Sequence, residues 1–257
     1  MRTIKVALCL PWYGGPHPDC VSQFLTFQHY LGRLQERAWW LSQGQGLEPH
    51  EVFGGQGMPP LDSWGDAEIP DSLIGTRIEF IICTLIGYSL PGIARGHAVE
   101  QALSLGADYL LFYDDDMLFT PSLFLKLLAH DVPVVGALAF TSRLPITPVI
   151  YKFSSTLDGK LKSEAVLDYK RDQLQQVDAI GFGVVLIQAS VFRKIPKPWF
   201  ANPGAGEDIQ FCGLCKKWGV PVYVDTSAKT AHIPRYAPEL HDEEKFLKDR
   251  AADLEKQ

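Results

Sequence analysis

Several scarcities in this chain narrow its class before any motif is read. Its 257 residues include only 5 cysteines, an odd number without framework spacing, so a disulfide-stapled secreted scaffold is excluded. Cys9 and Cys83 fall inside apolar, strand-like runs, and Cys212-x-x-Cys215 is a solitary pair lacking the two further ligands of a structural zinc site. Reduced, buried thiols are the expectation. Positive charge is also short: 24 Lys and Arg against 30 Asp and Glu leave a net charge of −6. That argues against broad, nonspecific binding to nucleic acid but leaves room for a local basic groove. Long apolar runs are missing too. Residues 80–88, like the other apolar stretches, fall far below the ~20 residues that span a bilayer. Residues 6–10, the only apolar segment after Arg2 and Lys5, are too short for a signal peptide. A soluble, cytoplasmic protein is expected.

What is present is a core-forming composition, with 46% apolar residues, and one conspicuous run. Tyr109-Leu110-Leu111-Phe112-Tyr113 is fit for a buried strand, yet it stops in Asp114-Asp115-Asp116. Three adjacent carboxylates repel one another, and more strongly as water is excluded. Either they are solvated turn residues or a cation neutralises them.

Around this run the pattern alternates. Residues 4–10, 77–85, 109–113 and 132–140 read as strands. Asp19 caps a first helix carrying Phe24, Leu31 and Leu34. Residues 93–105 form a second helix with Ala94, Ala98 and Ala102 on one face, ending at Gly106. Thr120-Pro121 opens a third. This order predicts an α/β fold with a mostly parallel central sheet flanked by helices.

The second half differs in character. Residues 149–153 and 161–166 flank Asp158-Gly159, a hairpin-turn signal. Residues 179–187 read as one strand containing Gly181-Phe182-Gly183, where missing side chains permit close approach. Residues 207–218 read as a helix and 220–224 as a last strand. Basic residues at Arg143, Lys152, Lys160, Lys162, Lys170 and Arg171 form either a solvated face or a phosphate-facing one. Residues 44–75 are rich in Gly and Pro and too long for an ordinary loop. No repeat or linker divides the chain, so one domain over 1–257 is expected, with an alternating first half (1–140), a second half of different character (141–237) and a helical tail (238–257).

In open α/β sheets ligands gather at the carboxyl ends of the strands, which places Pro11 and the three aspartates on one edge. Glu207-Asp208 at a helix start and His232 after the last strand can converge there. Each also has a plain explanation: acids complement a helix dipole, and a single His is often just a satisfied residue.

Taken in chain order, these features resemble a nucleotide-sugar-dependent glycosyltransferase of the GT-A fold, similar to family 2-like bacterial and phage members. The matching segments are residues 6–11, 91–116 with Ala94-Arg95, Gly181-Phe182-Gly183, residues 206–211, and 222–227 leading to His232. The resemblance implies transfer of a sugar from a nucleoside diphosphate, expected to be UDP, to an acceptor hydroxyl. It implies a divalent ion, Mn²⁺ or else Mg²⁺, held by Asp116 and His232, with Asp114 on the ribose or the metal. Asp115 lies between them and points the other way along an extended segment. Pro11 and Arg95 would meet the nucleotide, although Gly96 stands where such enzymes frequently carry Asn. Asp208 becomes the catalytic base and Glu207 a partner of sugar hydroxyls. The order favours inversion, although a late His ligand also occurs in retaining relatives.

Gly181, Phe182 and Gly183, with Trp199 and Phe200, are candidates for acceptor binding. The two later aromatics serve either as a stacking platform or as an apolar plug. Arg193, Lys194 and Lys197 nearby suit an anionic acceptor, a glycan or a hydroxymethylated DNA base. Two alternatives stay open: a nucleotidyltransferase acting on a sugar phosphate, and a degenerate sugar-nucleotide-binding protein. Residues 11–15 carry glycines but no Lys or Arg, which counts against the former.

Overall fold

A computed structural model describes residues 2–12, 70–74, 76–86, 90–119, 122–141, 145–155, 161–201 and 206–232 of the chain. Strands β1 (Arg2–Trp12) and β2 (Thr76–Ile86) run parallel along their whole length. Helix α1 (Pro91–Ser104) crosses over to β3 (Tyr109–Tyr113), which lies parallel on the other side of β1. Then come β4 (Met117–Phe119), α2 (Ser122–Ala129) and β5 (Val134–Leu138). The hairpin β6 (Ile150–Ser155) and β7 (Leu161–Ala165) pairs antiparallel, as the turn signal between the two segments predicts. Short strands β8 (Leu174–Val177), β9 (Ala179–Ile180) and β10 (Val184–Gln188) follow. Helices α3 (Ala189–Lys194) and α4 (Glu207–Lys217) lead to β11 (Val222–His232).

The main sheet runs β2-β1-β3-β10-β5-β11-β4, with β8 also on β11, while β6, β7 and β9 make a smaller sheet. Strand β10 is antiparallel to both neighbours, so a strand from the second half of the chain is threaded between two from the first. This is the expected α/β architecture with a mixed, mostly parallel central sheet.

Strands β3 and β5 are buried at every position, which is why they read as unbroken apolar runs. Tyr109, Leu111 and Tyr113 face one side of the sheet, where α2 supplies Leu123, Phe124, Leu127 and Leu128. Leu110 and Phe112 face the other, where α1 supplies Ala98, Val99 and Ala102, and α4 supplies Phe211, Cys212 and Cys215. The alanine stripe of α1 lets its backbone approach the sheet closely. No described helix is long and apolar enough to cross a membrane.

Two expectations need correction. Residues 179–187 are not one strand: β9 belongs to the small sheet and β10 to the large one, with the chain changing sheets at 181–183. The glycines permit that change because side chains from elsewhere occupy their space. A Cβ on Gly181 would meet Val149 at 3.1 Å, and one on Gly183 would meet the Met117 methyl at 2.8 Å. The last strand runs on to His232 instead of stopping at 224, passing through an irregularity between Asp225 and Lys229. Asp225 and Thr226 there are buried polar residues, so the hydrophobic alternation that marks a strand is lost while the pairing continues. The helix opened by Asp19, the Thr120-Pro121 start, the Asp158-Gly159 turn and the tail beyond Pro238 lie outside the described residues. So does most of 44–75.

Candidate functional site

Strand β3 delivers the three aspartates to the carboxyl edge of the sheet. The Asp114 N–H donates to the Gly183 carbonyl at 3.0 Å, and the Met117 N–H donates back to the Asp114 carbonyl at 3.3 Å. Residues 114–117 therefore close a tight turn, not the extended segment that strict alternation suggests. Asp115 is buried within it, at 6% exposure, while Asp116 stays partly open. Pro11 stands at the same edge: Cys9 pairs with Phe112, so two residues further along β1 comes level with Asp114. Its side chain lies outside the described residues.

The Asp114 carboxyl is pushed up to about 6, first by burial. Arg95 opposes that shift, and the charges of Asp116 and Glu207 add to it. Arg95 projects from the second turn of α1 with its side chain 4% exposed. Its Nη2 lies 2.9 Å from Asp114 Oδ1, and its Nε lies 3.3 Å from Glu207 Oε1. The guanidinium also rests 5.8 Å from the Phe112 ring centroid and 5.4 Å from that of Phe182. Arg95 is thus a buried bridge between two carboxylates.

Glu207 and Asp208 open α4 after Gly206, whose φ of 87° is the left-handed region that glycine tolerates. Asp208 Oδ1 accepts the Ile209 N–H at 2.7 Å. Burial raises the Asp208 carboxyl; that hydrogen bond lowers it, the Glu207 charge raises it further and Arg95 lowers it, with a net upward shift. Helices α1 and α4 touch at their N-terminal ends, where a Cβ on Gly92 would meet the Phe200 carbonyl oxygen at 2.7 Å and Glu207 Cβ at 3.3 Å.

His232 reaches the acid turn through strand pairing. It lies opposite Met117 in the antiparallel β11–β4 ladder, and opposite residues in such a ladder stand ~4.5–5.5 Å apart. Asp116 is the next residue along. His232 and Asp116 therefore share one end of the sheet, although they are 116 positions apart in sequence. Among the described residues no three His, Cys, Asp or Glu side chains form a ready-made metal cage. Ions that serve phosphates are commonly held by one or two protein ligands plus the substrate's own oxygens. Asp116 and His232 carry donor types that such a site uses.

The remaining candidates take packing positions. Phe182, Trp199 and Phe200 are 2%, 6% and 7% exposed. Phe182 and Phe200 join Phe112 and Phe211 in an aromatic cluster with centroids 5.1–5.9 Å apart. Trp199 donates its indole N–H to Ile195 O at 2.8 Å. In this arrangement the cluster forms the floor under Arg95, and Gly181 and Gly183 house Val149 and Met117. Lys197 pairs with Glu100, and Lys194 donates to the Gly219 carbonyl. Cys9, Cys83, Cys212 and Cys215 are buried free thiols, and burial pushes Cys215 up to about 12.

Sequence reasoning passed over Tyr151 on β6. Burial and then the nearby Asp208 charge push its phenol upward, so it lies within the field of that carboxylate. Its only sequence signal is a place in the first arm of the expected hairpin, which marks a strand and nothing more.

No family model and no curated protein matches this sequence. Among solved structures, A197 from STIV is 17% identical over 90% of this chain and 85% of that one, with a TM-score of 0.50. A structure of GalNAc-T7 with UDP, GalNAc and Mn²⁺ is 10% identical, covering 91% of this chain and 44% of that one, with a TM-score of 0.48. An apo UDP-glucose pyrophosphorylase is 9% identical, covering 97% and 100%, with a TM-score of 0.47. At these identities, what the chain shares with the first of them is an α/β fold.

Proposed function

We propose that this chain is a metal-dependent glycosyltransferase, moving a sugar from a nucleoside diphosphate sugar, expected to be a UDP-sugar, to an acceptor hydroxyl. The observation that carries the reading is the gathering of acidic and imidazole residues from three separate stretches of sequence towards one sheet edge. The acid turn, the Glu207-Asp208 helix start and His232 come from separate stretches of sequence. A fold assembled only for stability gains nothing from collecting like charges there.

The chemistry follows from the groups. Asp116 and His232 would hold Mn²⁺, or Mg²⁺ in its place; imidazole favours the former. That ion, when bound, supplies positive charge for the leaving diphosphate. Asp208 takes the proton of the acceptor hydroxyl as its oxygen bonds to the anomeric carbon. The bond from that carbon to the phosphate oxygen breaks, and the nucleoside diphosphate leaves with the electron pair. The upward shift of Asp208 suits a base, bringing its affinity for a proton nearer neutral pH. A single displacement of this kind inverts the anomeric centre.

The test is to incubate the protein with UDP-sugars, Mn²⁺ and a mixture of acceptors, and to follow products by mass spectrometry. Release of UDP with a mass gain on one acceptor class supports the reading. Turnover of nucleoside triphosphates with sugar phosphates, and none of UDP-sugars, would replace it with nucleotidyl transfer.

A further inference from the structure

The buried guanidinium of Arg95 joins two carboxylates from distant parts of the chain, above the aromatic cluster on which β3 and α4 pack. Asp114 belongs to the turn after β3, 19 positions away in sequence, and Glu207 begins α4, 112 positions away. Both are held by one planar group through different nitrogens, Nη2 for Asp114 and Nε for Glu207. The group is confined from below by the Phe112 and Phe182 rings. Close by, α1 approaches the start of α4 at Gly92, where a Cβ would meet Glu207 Cβ at 3.3 Å.

We infer that Arg95 is a positioning residue: it locks the acid turn to the first turn of α4, so that the two halves of the site keep one spacing. The inference rests on the proposed transfer reaction for its consequence, not for its geometry. A guanidinium is permanently charged and rigid, so it serves two carboxylates at once without rotating. Burying it among rings with one carboxylate alone would leave the second carboxylate uncompensated. With both in place, the turn that would meet the donor and the helix that would supply the base cannot drift apart. The role differs from direct contact with nucleotide in that Nη2 and Nε are both engaged by protein carboxylates.

The charge pattern dictates the variants. A lysine has a single nitrogen on a flexible stem and keeps at most one of the two pairs. Arg95→Lys is therefore expected to lower kcat at least 30-fold while the calorimetric Kd for UDP with Mn²⁺ changes less than threefold. Equal losses in kcat and Kd would overturn the inference in favour of direct donor contact, and an unchanged kcat would overturn it outright.

A second arm uses no activity. Asp114→Asn and Glu207→Gln are made singly and together, and unfolding equilibria are measured in urea. With Arg95 present, the joint effect should depart at least fivefold from the product of the single effects; in the Arg95→Met background it should not. Additivity with Arg95 present overturns the lock. A wild-type protein that binds no UDP would sink the transferase reading, and the unfolding cycle would still decide the lock.

Discussion

Gly92→Ala is the most direct probe of how tightly the site is built. The added Cβ would stand 2.7 Å from the Phe200 carbonyl oxygen and 3.3 Å from Glu207 Cβ. Non-bonded carbon contacts are comfortable near ~3.5 Å, so the methyl is too close to the oxygen by roughly 0.8 Å. The obstacle is backbone, which cannot rotate aside. Either α1 retreats from α4 or the segment before α4 shifts, and both displace Glu207 and Asp208 relative to the acid turn. Overpacking of this kind costs about 1–3 kcal/mol. For a chain of this size each kcal/mol lowers Tm by roughly 2–4 °C. A displacement approaching 1 Å at a reacting group costs up to ~10²-fold in rate.

Gly96 is the control on the same helix. A Cβ there meets nothing within 4 Å, and alanine in a helix interior is favoured over glycine by about 0.8–1 kcal/mol. Gly92→Ala should therefore lower both the urea midpoint and the rate of transfer. Gly96→Ala should leave the rate alone and raise the midpoint slightly. Equal stability and turnover for Gly92→Ala, or an equal loss for Gly96→Ala, would refute the claim that this contact sets the geometry.

Asp208→Asn should bind UDP with Mn²⁺ as the unaltered protein does and lose transfer by ~10²–10⁴-fold, the usual worth of a general base; unimpaired turnover would remove it from that role. Asp225 gives a pH prediction away from the site. Burial pushes its carboxyl up, but hydrogen bonds from His130 and from the Ser227 hydroxyl and amide outweigh that and hold it at about 2. A carboxylate depressed in the folded state stabilises fully above its unfolded value near 4, and that stability is lost as pH falls from there towards 2. The contribution is about 2 kcal/mol. Asp225→Asn should flatten the acid side of the stability profile measured by urea titration between pH 2 and 5, and an unchanged slope would contradict it.

Much of this arrangement was legible in the sequence, and the reasons are physical. Strand β3 announced itself because both faces are covered, leaving no polar position to blur it. The hairpin β6–β7 was marked by its turn signal and helix α1 by the spacing of its alanines. Strands β4 and β8 did not: β4 is three residues long, and β8 is a half-buried edge rich in glutamine. The continuation of β11 to His232 was hidden because buried Asp225 and Thr226 bond to side chains and loop carbonyls, interrupting the apolar pattern. At the site, residue types pointed to Asp114, Asp208 and His232 as titratable groups, but not to their partners. That Arg95 bridges Asp114 and Glu207 depends on contacts across 112 positions, which spacing along the chain cannot express. Likewise Phe182 and Phe200 have the same composition whether they stack on a ligand or on each other.

The account stands on Asp116 and His232 acting together on one ion beneath a diphosphate. Calorimetric titration of UDP into the protein with and without Mn²⁺, repeated on Asp116→Ala and His232→Ala, tests this most directly. The expected result is at least tenfold tighter UDP binding with Mn²⁺ in the unaltered protein, and loss of that gain in both variants while each remains folded by circular dichroism. UDP binding indifferent to Mn²⁺, or either variant keeping the full gain, would contradict it.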